Sequence, residues 1–169
     1  MFRSQHIGWL ALESLARQKD IDFKWELLII EEEEDSLGKE VLKKYEPRLQ
    51  KVGCSRIEYY SLKDWMPLGK KWQRLGDCSS ETLCFLLQAA DNYSQPYRLK
   101  ETFDIFKRSK DIDWVQSKKY YFYDIGSSQV VLYNHDLCTI AHPCARDMAI
   151  KTSLLKRLNI NSDQVRGID

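Results

Sequence analysis

Apolar positions recur at helical spacing from Ile7 to Gln18, where Ile7, Leu10, Ala11 and Leu15 share one face and Ser4 stands where a helix cap is wanted. The pattern then changes. Residues 23–30 end in the unbroken apolar run Leu27-Leu28-Ile29-Ile30, the mark of a strand buried on both faces of a parallel sheet, and the acidic stretch Glu31 to Asp35 stops it. Helical spacing returns through Val41, Leu42 and Leu49 in residues 37–52, with Pro47 expected to break the last turns and Gly53 to close the segment. Residues 56–60 read as a strand, Pro67-Leu68-Gly69 as loop punctuation, and a polar helix is expected from near Lys70.

Residues 80–88 supply a third apolar run, read as the most buried strand, which leads into Ala89-Ala90-Asp91-Asn92 and so ends on a carboxylate. The spacing of Leu99, Phe103 and Phe106 predicts a helix over 98–109. Two strands follow at 120–123 and 130–133 around a hairpin turn at 124–128, and residues 145–158 suit a closing helix. This alternation predicts an α/β fold: a mainly parallel sheet flanked by helices, with a late antiparallel hairpin, in one domain spanning residues 1–169. Ligands of such sheets bind beyond the carboxyl ends of the strands. Acidic residues stand at two of those ends.

A length of 169 residues with 43% hydrophobic residues suits one domain with a real core. Against 26 Lys and Arg stand 25 Asp and Glu, so a net charge of +1 gives no overall field toward nucleic acid or an acidic membrane. Five cysteines, an odd number without a C-x-x-C pair, read as reduced thiols, and the group Cys138, His142 and Cys144 falls short of a regular zinc spacing. No signal-peptide order and no apolar run of about 20 residues appears. A cytoplasmic protein is expected.

In the order of its segments the chain resembles the nucleotide-sugar half of the inverting family 2 glycosyltransferases, which have the GT-A fold. Residues 8–18, with Ser14-Leu15 and Gln18, look like the first helix; residues 25–30 with Glu31 and Glu32 look like the second strand and its acidic end. Leu68-Gly69-Lys70-Lys71-Trp72 sits where the family has a basic helix start, and residues 86–99 look like the Asp-x-Asp segment with its trailing Pro and Arg-Leu. Residues 145–152 are similar to the stretch before the acceptor-side acid, and Asp169 falls about where the family has its base. The resemblance covers nearly the whole chain. Two departures stand out: the family's first strand is absent or reduced to residues 1–4, and the metal motif keeps one carboxylate.

The resemblance implies transfer of a sugar, with inversion, from a nucleotide-diphosphate donor such as a UDP-sugar to an acceptor. It implies nucleotide contacts from Glu31, Glu32, Lys71 and Asp91, a Mn²⁺ or Mg²⁺ ion held by Asp91 with Asn92, and Asp169 as catalytic base. The departures leave a second expectation, a catalytically degenerate domain that binds a nucleotide or a partner protein, and a further copy of the chain completing the sheet. Each residue also has a plainer reading. Asp91 and Asn92 suit a turn, Glu31 to Asp35 a solvated helix start, Lys70 and Lys71 surface cations, and Tyr120 to Tyr123 strand packing. Asp147 is the alternative base.

Overall fold

The computed structural model describes residues 8–32, 39–80, 83–117, 119–124, 126–134 and 148–157. Helix α1 (Trp9–Ala16) leads to β1 (Trp25–Glu32), α2 (Lys39–Lys51), β2 (Cys54–Leu62) and α3 (Leu68–Cys78). Then come β3 (Cys84–Leu86), α4 (Arg98–Arg108), β4 (Trp114–Gln116), β5 (Lys119–Asp124), β6 (Gln129–Asn134), β7 (Met148–Lys151) and α5 (Thr152–Arg157).

The expected mainly parallel GT-A sheet is not what forms. Among the described residues the one parallel pairing is β1 with β2, running from Trp25 opposite Cys54 to Glu32 opposite Leu62. A separate antiparallel sheet has the order β3-β7-β4, and β5 with β6 makes an antiparallel ribbon. The reason lies at residues 148–151, read from sequence as part of a helix. Ala149 and Ile150 are buried, and the segment pairs with β3 on one edge and β4 on the other, so long-range pairing overrides a helical pattern. Only from Thr152 does the helix start.

A second correction concerns the run at 80–88. The strand within it is the three half-buried residues Cys84–Leu86, at the edge of its sheet rather than at a buried centre. Nor does Pro47 end α2, which continues to Lys51 because Leu49, fully buried, anchors the last turn. Gly53 closes the helix at φ +89°, and its carbonyl accepts the Trp25 N–H at 3.2 Å to start the β1–β2 ladder. The larger core lies on one face of that ladder: Leu12 and Leu15 of α1 meet Leu49 of α2 and Cys54, with Leu27, Ile29 and Ile57 against them. Helix α3 packs on α5, close enough that a Cβ on Gly76 would lie 3.1 Å from Leu155. No helix among the described residues is long and apolar enough to cross a membrane.

Candidate functional site

The two parallel strands bring their carboxyl ends side by side, as a β-α-β unit must, and the chain leaving β2 turns through residues 63–67 into α3. At the end of β1 the Glu32 carboxylate meets Lys71 Nζ of α3 at 2.9 Å and accepts the Met66 N–H at 3.2 Å. Both side chains are largely covered. Burial pushes the Glu32 carboxyl up, but the Lys71 and Met66 hydrogen bonds outweigh it and hold the group below the ordinary carboxylate range. One residue back, the Tyr59 hydroxyl donates to Glu31.

Beside this pair opens a cleft of about 460 Å³ whose walls include Lys63, Asp64, Trp65, Met66, Lys70 and Arg74. Three cations face one acid there, so the cleft carries net positive charge. Trp65 is 53% exposed, a large flat apolar surface at the edge of a polar hollow. The Arg74 guanidinium lies over the Tyr60 ring at 5.9 Å. Pro67, at the start of α3, provides no side-chain cap for the first turn. Together these groups suit a ligand that carries several negative charges and a planar part.

The 87–97 loop is built differently. The Arg98 guanidinium donates to Gln88 Oε1 at 2.8 Å, to Ser94 Oγ at 3.0 Å and to the Leu87 carbonyl at 3.1 Å. Ser94, 2% exposed, donates to Gln88 Oε1 at 2.5 Å, and Gln88 Nε2 donates to the Asn92 carbonyl at 2.7 Å. A second amide, Gln18, joins the loop to α1. The outcome is a turn in which the Asn92 N–H donates to the Ala89 carbonyl at 3.2 Å, Asp91 is exposed and Asn92 half-buried.

Asp91 therefore sits in an exposed turn five residues past an edge strand, and it does not line the cleft. The structure brings Glu32 and Lys71 together, with Lys70 in the cleft and Glu31 on the adjoining strand residue, and leaves Asp91 and Asn92 out of that group. Asp169, Asp147 and the Cys138–His142–Cys144 group lie outside the described residues. Asp91 and Asn92 offer one carboxylate and one amide oxygen, hard donors of the kind Mg²⁺ and Mn²⁺ take, but in a turn that does not line the cleft. Among the described residues no three His, Cys, Asp or Glu side chains gather as a metal site. Cys54, Cys78 and Cys84 are free thiols, and burial pushes Cys54 and Cys84 up to about 11, so neither is a ready nucleophile.

Lys63, Trp65 and Arg74 are the residues sequence reasoning passed over. Arg74 lies one helical turn beyond Lys70 on α3, and the turn between β2 and α3 sets all of them around one hollow. Compared with protein-family models and with curated proteins, the chain matches none of either.

Proposed function

We propose that the protein binds a nucleoside diphosphate sugar in the cleft beyond β1 and β2 and transfers the sugar to an acceptor hydroxyl. One observation carries the reading: Glu32 and Lys71, for which the resemblance implies donor contacts, meet at 2.9 Å beside a cation-lined cleft of about 460 Å³. That volume suits a small-molecule ligand of nucleotide size. Lys63, Lys70 and Arg74 offset the charge of a diphosphate, which grows as the leaving group departs. Trp65 offers its face to the base. Glu32, held ionised by Lys71 and Met66, is an acceptor for a ribose hydroxyl. Asp91 and Asn92, the residues expected to hold a divalent cation, stand in a turn outside this cleft and do not fit a cation on a diphosphate bound there, so its charge falls to Lys63, Lys70 and Arg74. Asp169 is the base assigned to the acceptor hydroxyl. A reducing, cytoplasmic setting goes with the free thiols.

The place of Asp91 favours a second reading, a domain that binds the nucleotide without turnover, because its turn does not line the cleft. Titration calorimetry with UDP and UDP-sugars, with and without Mn²⁺, alongside donor-hydrolysis and transfer assays, separates the two. Binding that Arg74→Ala and Lys70→Ala weaken, together with sugar release, supports the transferase. Binding without release supports the second reading, and no binding at millimolar ligand removes both.

A further inference from the structure

We propose that the β5–β6 ribbon is a self-association surface whose occupant is the same ribbon of a second copy of the chain. Among the described residues β5 and β6 pair with each other and with no other strand. A lone two-stranded ribbon is marginal in water. This one is also apolar. Opposite residues of an antiparallel pair share a face, so the register of Tyr121 with Leu132 and Tyr123 with Val130 puts those four side chains together. They are 64%, 49%, 63% and 63% exposed. On the reverse face Phe122 and Val131 are also exposed, at 55% and 54%, but Phe122 packs edge-on against the half-buried Tyr120, ring centroids 5.4 Å apart, so the Tyr121 face is the more open by a small margin.

The shape of that face selects its partner. Two tyrosines on β5 form a ridge beside a lower row of Val130 and Leu132 on β6. A two-fold axis along the ribbon, between two copies, lays each ridge on the other copy's lower row, which is the isologous contact most dimers use. Lys119 and Asn134 sit opposite each other at the end away from the turn and supply a polar rim. Each of the four side chains exposes roughly 100 Å², so two copies remove about 800 Å² through them, the size of a transient rather than a permanent interface. The association expected is a weak dimer, with Kd on the order of micromolar.

Sedimentation velocity on the full chain, from about 5 to 200 μM so as to bracket such a Kd, tests this. A monomer–dimer equilibrium is expected in the wild type. Val130→Lys, on the open face, weakens it at least about ten-fold, a loss of roughly 1.4 kcal/mol, whereas Val131→Lys, on the reverse face of the same strand, leaves it in place. Far-UV circular dichroism confirms that both variants keep their fold, and the wild-type measurement stands without them. A wild type that remains monomeric throughout overturns the proposal, including one that instead pellets with phosphatidylcholine vesicles. So does an equal loss in the two variants.

Discussion

Gln18 Oε1, just past the end of α1, accepts the backbone N–H of Leu99 in the first turn of α4 at 3.0 Å. The same side chain donates through Nε2 to the carbonyls of Gln95 at 2.8 Å and Ser14 at 3.1 Å, and it is 4% exposed. One buried amide therefore joins α1, the 87–97 loop and α4. Leucine at this position has a similar size but leaves the half-buried Leu99 N–H without that partner, at about 1–3 kcal/mol, whereas the exposed Gln95 carbonyl still accepts the Arg98 N–H. We expect Gln18→Leu to lower stability by about 1–3 kcal/mol in urea titration on this account. An unchanged midpoint would mean the loop is held without Gln18, by Arg98 and by the Lys19 N–H to Pro96 carbonyl bond.

The α1–α2 contact has an acid-sensitive tie. Arg48 donates to both Glu13 oxygens, at 2.7 and 2.9 Å, and Arg17 reaches the same carboxylate at 2.5 Å. The Arg48 hydrogen bond, then that of Arg17, holds Glu13 down to about 2 against an ordinary 4.5. A depressed carboxylate contributes stability that is present above its unfolded value and lost as pH falls toward its folded one. The window is therefore about pH 4.5 down to about 2. Arg48→Met should be less stable than wild type at neutral pH, and the gap should close across that window. A gap that stays constant on acidification would assign the loss to the arginine's packing on the Tyr45 ring, 5.2 Å away.

Gly53 allows a backbone that other residues resist. Its φ is +89°, and a Cβ there would lie 2.9 Å from the Phe23 carbonyl oxygen and 3.0 Å from Ile21 Cγ2. The backbone oxygen has little room to move. Strain of the positive φ alone is worth about 1–3 kcal/mol, so Gly53→Ala is expected to lower thermal stability by at least that much. A melting temperature equal to wild type would show that the junction between α2 and β2 relaxes freely.

Local pattern is informative where the segment is long. The helix over 98–109 and the strand ending at Ile30 are found within two residues of where the sequence puts them, since their apolar positions repeat or run on. Partner choice is another matter. Three residues, Trp114–Gln116, carry no period to read, yet they become an edge of the sheet because Met148–Lys151 pairs with them. The Lys151 N–H to Asp113 carbonyl bond, 2.8 Å, is a link between residues 38 apart in sequence that no window contains. At the cleft, Glu32 and Lys71 stand out as the end of an apolar strand and the start of a basic helix. The exposure of Asp91 is hidden in the sequence because it follows from the hydrogen bonds of Gln88, Ser94 and Arg98, whose roles depend on how the loop folds back.

The Glu32–Lys71 pair can be dissected further, because its two members are unequal once separated. Glu32 is 14% exposed and Lys71 18%, so neither side chain is well solvated. Removing Lys71 leaves a covered carboxylate with the Met66 N–H, and burial then dominates and pushes Glu32 upward. Removing both charges leaves no such group. A covered charge without its partner costs more than the absence of the pair. Hence Lys71→Met should be less stable at neutral pH than the double variant Glu32→Gln, Lys71→Met, by about 1 kcal/mol once partial exposure is allowed for. The pH dependence should also reverse sign. In the wild type the depressed Glu32 contributes stability that falls away as pH drops through its folded value, whereas in Lys71→Met a raised Glu32 makes stability improve on mild acidification. Urea titrations of the three proteins across that range decide it. A double variant no more stable than Lys71→Met would show that Glu32 finds another cation, for which Lys70 in the neighbouring cleft is the nearest candidate along the helix.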